Sequence, residues 1–397
     1  MEICPGHSCP GHITSLRLIQ MKRFMFFAAI AAVTLSLNAQ KTVNVATPGS
    51  LGTLLTQEEQ NTLTKLTITG ELNSADIKVL RAMTKTKSDR MASSPVVGNG
   101  VLEDLDLSGA TFIKDNKYYY SDMDNMEDYG TVPGAISGYM FLGSTTLKHF
   151  TAPANTRSVQ AGAFQDVVNL ETFTPKDIQV FGASAFANCK NLEPFPLDNV
   201  RSIGASAFSH NEKITKVVIP DELTEESFNT NAFSGCQNLV EVKIGNGVAE
   251  FSTYSFNNLP KLEKVELGNK VTTLCGNSFN DLKSLKTFVM PTAMVPTTPS
   301  MSYVTGPFEN VPATAVLYVP DESVQMYSVA LHWKNFTTVK PISELGGSDP
   351  DGIEDIESDA NAPVRYFNLQ GVELTEPSEG LCIRVQGSRS QKVIIRK

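Results

Sequence analysis

The chain has 397 residues, of which 41% are hydrophobic and 19% are charged, and this balance excludes disorder throughout. A formal net charge of −9 argues against a nucleic-acid-binding protein that works through a general basic field. Six cysteines are too few for a disulfide scaffold, and a single long apolar run near the start excludes a multi-span membrane protein.

The first predicted element is a targeting sequence. Lys22 and Arg23 supply a basic start, and Phe24–Leu37 is an apolar stretch too short to span a bilayer. Ala39 provides the small residue before a cleavage site. We therefore expect residues 1–39 to be an upstream leader and signal peptide, with either Met1 or Met21 as the initiator. No cysteine follows the cut, which argues against a lipoprotein anchor.

The segment before the signal contains four residues with metal-ligand spacing, in the order Cys4, His7, Cys9 and His12. A structural zinc site needs a folded context that this short segment lacks. We predict no metal site there, and the sequence indicates no cofactor.

An acidic loop follows Tyr118–Tyr120 and contains Asp122, Asp124, Glu127 and Asp128. Two carboxyl groups about 5–10 Å apart in a cleft would suit glycoside hydrolysis, which makes a hydrolase one hypothesis. A loop of this kind is more often solvated surface. The chain also lacks a GxSxG elbow, an HExxH motif and a phosphate-binding loop, so we predict no catalytic residues.

A repeat fills the middle of the chain. Phenylalanine recurs at steps of 22 to 29 residues, at positions 141, 164, 186, 208, 233, 256, 279 and 308. Counted from each Phe as zero, positions −5, +6, +9 and +11 are mostly apolar and position −1 is mostly small. The +9 and +11 pair has the period of a strand, and the Phe with an apolar +3 suits a tight helical or 3₁₀ turn. Stacking such units predicts a solenoid with a parallel sheet along one face.

The pattern I-x3-[AS]-F-x2-C-x2-L-x2-[VF]-x-I resembles the BspA-like leucine-rich repeat of bacterial surface proteins. The resemblance implies a β-rich α/β leucine-rich repeat solenoid, with short helical or 3₁₀ turns beside a parallel sheet. Leu66–Gly70, Ala75–Met83 and Leu105–Ala110 resemble the N-terminal cap of the family. Leu317–Pro320 through Trp333, Phe336 and Ile342 resembles its closing repeat, in which Trp333 belongs to the core, and the long last step indicates an insertion around residues 296–301.

The tail follows an acidic run between residues 349 and 359, which is predicted to be a solvated linker rather than a calcium loop. Three short strands are expected around residues 365–368, 381–386 and 392–396. The tail resembles the C-terminal sorting domains of the type IX secretion route in the combination of Tyr366, Asn368-Leu369-Gln370-Gly371, Gly380-Leu381 and Lys392-Val393. A small β cap with no role in transport is the alternative. The predicted domains are a cap region at 40–132, the solenoid with its closing repeat at 133–345, a linker at 346–362 and a small β segment at 363–397.

The +8 and +10 side chains should point outward from the sheet, because they alternate with the core positions. Lys216, Glu241 and Lys264 are predicted cross-strand neighbours, as are Lys243 and Glu266, with Val289, Val316 and Tyr318 at one end. Opposite charges side by side stabilise a sheet. A partner-binding face is the alternative interpretation of Lys216, Glu241, Lys243, Lys264, Glu266, Val316 and Tyr318.

Cysteine and histidine positions indicate no further site. Cys189 and Cys236 both occupy +3, but they lie two repeats apart, nearly 10 Å, whereas a disulfide needs Cα atoms within about 7 Å. They are predicted to be free, buried and small apolar fillers. His149, His210 and His332 fall at different positions of different repeats, so they should not converge.

Two functions remain open beside the hydrolase. The signal peptide predicts an exported protein, extracellular or at the outer surface of a Gram-negative bacterium, without a membrane span after signal removal. The resemblance implies a non-enzymatic protein that adheres to a host matrix or bacterial surface protein, and no nucleic acid is expected as a partner. The alternative is a structural or accessory protein of an envelope assembly. The sequence names neither the ligand nor the oligomeric state.

Overall fold

The structure is a computed structural model that describes residues 39–88, 90, 95–122, 126–223, 231–299 and 305–345, together with four strands between residues 364 and 395. It divides into two compact units, Met1–Ile342 and Ser343–Lys397. The predicted leader and acidic linker lie outside the described residues, and the proposed domain boundaries stay predictions.

The first unit opens with three parallel strands, β1 (Gln40–Val45), β2 (Lys65–Leu72) and β3 (Asp104–Phe112). Helices α1 (Leu51–Leu54), α2 (Gln57–Thr62) and α3 (Ser74–Met83) connect them. The Asp76 carboxylate fixes the start of α3, because it accepts hydrogen bonds from the backbone N–H groups of Asn73, Gly49 and Leu51. Two strands and a helix lie where the predicted cap segments are, and their identity as a cap stays a prediction. A short antiparallel hairpin follows, formed by β4 (Tyr120–Asp122) and β5 (Glu127–Tyr129).

The repeats and the closing segment contribute the next strands. These are β6 (Ala135–Ile136), β7 (His149–Thr151), β8 (Ser158–Val159), β9 (Thr172–Thr174), β10 (Val180–Phe181), β11 (Ser202–Ile203), β12 (Lys216–Ile219), β13 (Glu241–Ile244), β14 (Glu250–Phe251), β15 (Lys264–Glu266), β16 (Thr273–Leu274), β17 (Thr287–Val289), β18 (Val316–Val319) and β19 (Thr338–Pro341). The main parallel sheet contains the +9 strands, as predicted. It comes in two parts, β1-β2-β3-β7-β9 and β12-β13-β15-β17-β18-β19.

A second, narrow parallel sheet runs along another side of the solenoid in the orders β11-β10-β8-β6 and β14-β16. It is built from the −5 residues, which are buried, as Val159 and Ile203 show with no exposed surface. The sequence predicted these side chains as core but not as strands, because two-residue strands are too short to show a period of two.

The turn that carries each Phe is not a helix in the described repeats. Bonds of the i→i+3 type close it, such as Val167 N–H to the Phe164 carbonyl at 3.2 Å. Left-handed residues at −2 and +2 stop the turn from continuing, and Asp166 and Asn188 occupy two of the +2 positions with φ of 61°. The predicted helical or 3₁₀ turn is therefore a single hydrogen-bonded turn. The Phe rings stack through the core, with centroids 5.0 Å apart for Phe164 and Phe186.

The main sheet is interrupted at Pro194–Leu197, where the repeat register predicts another strand. The residues at the +8 and +10 positions are Pro194 and Pro196, and these are the positions whose N–H groups reach back to the preceding strand. Proline has no N–H to donate, so no strand forms there. The prediction of one continuous sheet is wrong at this repeat.

The closing repeat contains α4 (Val324–Val329) and 3₁₀ turns at Asp321–Ser323, Trp333–Asn335 and Ile342–Glu344. Trp333 is fully buried, and its ring centroid lies 4.8 Å from that of Phe308, which confirms a core role. Thr297 forms a parallel bridge with Thr273, so the extra residues of the last repeat follow Thr297.

The second unit is an antiparallel sheet in the order β21-β20-β22-β23. Its strands are β20 (Val364–Phe367), β21 (Glu373–Leu374), β22 (Gly380–Gln386) and β23 (Arg389–Ile395). The sequence predicted three strands, and the missed one, β21, is only two residues long.

Candidate interaction surface

The predicted site residues lie on the outer face of the six-stranded part of the main sheet. Side chains alternate along each strand, so Val217, Val242 and Val265 are buried in the core while their neighbours in the chain point away from it. We call this surface the charged face and define it by Lys216, Glu241, Lys243, Lys264, Glu266, Val316 and Tyr318. The main-chain register of the parallel strands holds each of these residues beside its counterpart in the next repeat.

Five residues of the charged face form one connected ion-pair network. The register places Lys216 opposite Glu241, Glu241 opposite Lys264, and Lys243 opposite Glu266. The N···O distances of the network are Lys216–Glu241 3.2 Å, Lys264–Glu241 3.4 Å, Lys243–Glu266 3.2 Å and Lys264–Glu266 3.6 Å. These pairs are partly exposed, so each contributes about 0–1 kcal/mol. The predicted adjacency is present, and a role in binding stays a prediction.

Glu241 is the centre of the network. Burial alone would raise its pKa, but the Lys216 and Lys264 ammonium groups outweigh that effect, so the pKa of Glu241 lies below its ordinary value. The carboxylate is therefore held in its ionised form at neutral pH. Three lysines and two glutamates leave the network one positive charge in excess.

The apolar end of the charged face differs in one respect from the prediction. Val316 and Tyr318 are half-buried, as outward residues of a sheet can be, but Val289 is only 5% exposed. Val289 lies in register between Glu266 on β15 and Tyr318 on β18. The prediction that Val289 is an exposed contact residue is wrong, because larger side chains flank it on both neighbouring strands.

The charged face lies along the outer side of parallel strands, with Lys216 at its edge beside a small cavity of about 40 Å³. The charged groups of the face are satisfied by one another, and their charges are almost balanced. Such an arrangement suits a broad contact with a macromolecule, in which register and electrostatic complementarity select the partner.

The carboxyl groups of the acidic loop, which suggested a hydrolase, have different surroundings from one another. Asp122 is 2% exposed and lies 3.3 Å from the Arg90 guanidinium, so it is a buried ion-pair partner rather than a solvated loop residue. Glu127 and Asp128 are exposed, and they accept hydrogen bonds at 2.6 Å from Tyr129 and Ser121. Asp124 lies outside the described residues.

A buried arginine next to this hairpin is a feature that sequence reasoning missed. Arg81 donates hydrogen bonds to the carbonyls of Tyr139 at 2.7 Å and Lys87 at 2.8 Å, and its guanidinium lies 5.2 Å from the centre of the Tyr120 ring. Burial lowers its pKa to about 10. Because Arg81 belongs to α3 and Tyr139 to the first repeat, these contacts join the N-terminal cap to the solenoid. The only sequence signal is an arginine within an otherwise apolar helix face.

The +3 cysteines are buried free thiols, as predicted, but they are more than apolar fillers. Cys189 Sγ donates to the Phe164 carbonyl at 3.1 Å, and Cys236 Sγ to the Phe208 carbonyl at 3.2 Å. Asn211 occupies the repeat between them and donates to the Phe186 carbonyl at 2.9 Å. Each +3 donor therefore satisfies a main-chain carbonyl of the preceding repeat.

Histidines and acidic residues do not gather into a metal centre in the part of the chain that the structure describes. His149 bonds Thr172 Oγ1 at 3.0 Å on the outer face, whereas His332 is buried and bonds the Pro299 carbonyl. The three histidines remain apart, as their repeat positions predicted. Within the described ranges, none of the helices combines the length and the hydropathy needed to cross a bilayer.

Several proteins of known structure are similar to this chain. The chain resembles solved leucine-rich repeat proteins from T. pallidum (24% identity, 38% of this chain and 70% of that chain, TM-score 0.34) and Bacteroides ovatus (16% identity, 52% and 58%, TM-score 0.37). A third, from Eubacterium ventriosum, is 13% identical over 62% of this chain and 87% of that chain, with a TM-score of 0.27. No curated protein matches the chain.

A family model described as the BspA type leucine-rich repeat region matches six copies, at residues 111–226 and 202–311. The matched part covers half of the chain and coincides with the Phe repeats, the turns and the parallel strands. Leucine-rich repeat proteins are generally non-enzymatic scaffolds that bind other proteins. The chain therefore belongs to the BspA-type leucine-rich repeat proteins.

Proposed function

We propose that this chain is an exported surface protein of a Gram-negative bacterium that binds a host matrix protein or another bacterial surface protein through its charged face. The single observation that carries the proposal is the preformed network on that face. Five charged side chains on three neighbouring strands are held in one register, each within 4 Å of an opposite charge. A partner that matches this pattern meets side chains that are already ordered, which lowers the entropy cost of binding.

Export is supported by the sequence at the start of the chain. The basic Lys22 and Arg23, the apolar stretch to Leu37 and the small Ala39 have the order of a signal peptide. The ordered strand β1 begins at Gln40, directly after the proposed cleavage. Members of this family are typically surface or secreted bacterial proteins.

The experiment is a pull-down from matrix proteins and bacterial surface extracts, with the chain from Gln40 onward as bait. The informative variant reverses the whole network: K216E, E241K, K243E, K264E and E266K. Every predicted pair keeps opposite charges, so the fold should persist with circular dichroism unchanged, while the pattern seen by a partner is inverted. We expect the captured partner to be lost in this variant.

A second variant, V316S with Y318S, separates the two parts of the face by leaving the network intact. Weaker capture by this variant would extend the contact to β18. Equal capture by the parent and by the charge-reversed bait would contradict the proposed face. A partner from the envelope of the same cell, bound independently of the charges, would instead support the accessory role in an envelope assembly.

A further inference from the structure

The two parts of the main sheet meet at a place where the main chain is unpaired. In a regular repeat, the +8 N–H group donates to the preceding repeat, as Thr172 N–H does to the Lys148 carbonyl at 3.0 Å and Lys264 N–H to the Val240 carbonyl at 3.1 Å. Among the described residues, Lys216 and Val218 have no such acceptor, because β12 pairs only with β13. Pro194–Leu197 lies where the preceding strand would be, and it contributes no ladder bond.

The side chains also leave space at this junction. A cavity of about 40 Å³ lies between the two repeats and is lined mainly by Phe195, Leu197, Phe208, Ile214 and Phe233. Phe195 is only half-buried, whereas its counterparts Phe150 and Phe173 are 1% and 4% exposed. Among the described residues, no ladder bond joins the two repeats on the sheet side. They meet through side chains, such as the rings of Phe195 and Phe208 with centroids 6.0 Å apart and the exposed ion pair of Lys213 with Glu193 at 3.1 Å. Contacts of this kind resist bending less than a closed ladder does.

The opposite side of the same junction is continuous. Phe186 N–H donates to the Ala207 carbonyl and Phe208 N–H to the Ala232 carbonyl, both at 2.8 Å. The narrow second sheet pairs Phe181 with Ile203, and the rings of Phe186 and Phe208 remain stacked with centroids 5.7 Å apart. The turns therefore form an unbroken spine behind an open sheet.

We propose that this junction is a hinge. The solenoid bends there about the turn spine, so that β9 and β12 separate or approach on the sheet side while each part of the sheet stays rigid. Hinges are short segments that absorb motion between packed bodies, and an unpaired edge over a cavity offers little resistance. If the proposed function holds, a partner that spans both parts of the outer face selects one hinge angle. The hinge itself does not depend on that function.

The test measures distances between spin labels in the full chain, with every cysteine except the buried Cys189 and Cys236 changed to serine. One pair, at Thr172 and Lys264, crosses the junction. The matched control, at Lys216 and Val316, spans the same four strand steps, about 19 Å, within the six-stranded part. We expect the distance distribution across the junction to be about twice as wide as that of the control.

A double variant tests whether the two prolines are what interrupts the ladder. Pro194→Thr with Pro196→Thr restores the two N–H groups and allows the ladder to close, so the wide distribution should narrow to that of the control. Without labels, hydrogen exchange at Lys216 and Val218 should be about tenfold faster than at Glu241 and Lys243. Equal widths for the two pairs, equal protection of these amides, or no response to the proline changes would each overturn the hinge. No partner is needed for any of these readouts.

Discussion

The two parts of the main sheet have the same backbone pattern and different side-chain chemistry. In the five-stranded part, the +9 core positions of the two repeat strands are Phe150 and Phe173, and the outer face of these strands carries Thr151, Thr172 and Thr174 with His149. In the six-stranded part, the core positions are mainly valines and the outer face carries the ion-pair network. The repeat therefore constrains where a side chain points but leaves its chemistry free on the outer face, where no core neighbour has to be matched.

The largest difference in unfolding free energy between the two parts should come from substitutions in the core. The Phe164 ring lies 5.0 Å from both Phe150 and Phe186, whereas Phe256 lies 6.1 Å from Phe233 and 5.8 Å from Phe279. We expect Phe164→Ala and Phe256→Ala each to cost about 3–5 kcal/mol of unfolding free energy. Phe164→Ala should cost about 1 kcal/mol more, because it also loses closer ring contacts. Urea denaturation measures both, and equal losses would remove the distinction between the two cores.

A proline placed in the intact sheet tests what the natural interruption does. Lys243 occupies the +10 position on β13, the position that Pro196 occupies at the junction. Lys243→Pro should lower the unfolding free energy by about 1–3 kcal/mol, because a buried main-chain acceptor on β12 loses its donor. Lys243→Thr is the control for loss of the ion pair. Pro196→Lys should cause no loss, and a similar loss from both proline positions would show that the junction is not special.

The ion-pair network should contribute less to the free energy of unfolding than the core does. Glu241→Gln removes the anion shared by Lys216 and Lys264 and should cost about 0.5–1 kcal/mol at neutral pH. Because the pKa of Glu241 is lowered in the folded state, its contribution is present above the ordinary value of 4.5 and is lost as the pH falls through the folded value. The difference between parent and variant should therefore vanish in acid.

The five-stranded part offers a matched control for the network. On the outer face there, Lys65 and Asp104 form an exposed pair at 2.6 Å. Asp104→Asn should change stability less than Glu241→Gln does, and raising the salt concentration should reduce both effects. A larger effect at Asp104 would contradict the idea that connecting several pairs strengthens the charged face.

The smallest expected effect is a difference in reactivity between cysteine thiols, and it involves no change in stability. Burial raises the pKa of Cys236 to about 12 and raises that of Cys189 further, so neither is a thiolate at pH 8. Cys275 is only half-buried. We expect iodoacetamide to modify Cys275 well before either +3 cysteine, as mass spectrometry of the folded chain would show. Rapid labelling of Cys236 would indicate that the junction next to Phe208 opens further than a hinge requires.

The fold could be predicted in large part, and the reason lies in repetition. A single Phe or Leu says little about structure, but in-register copies at −5, +6 and +9 repeat the same signal along the chain. The candidate face followed from the same register, because the alternation of a strand makes Lys216, Glu241 and Lys264 neighbours once their Phe residues are aligned. Short elements without a period, such as β21 and the −5 strands, could not be predicted in this way.

Spacing along one chain is enough to predict the repeat period, the inward residues, the strands and helix of the cap region and the cross-strand neighbours. Contacts between distant segments were needed to show that Pro194–Leu197 divides the sheet, that Val289 is covered, that Asp122 is buried against Arg90 and that Arg81 joins the cap region to the first repeat. These features depend on which side chains from distant segments come into contact, and on whether a main-chain N–H group has a carbonyl oxygen to bond. Spacing along the chain does not contain that information.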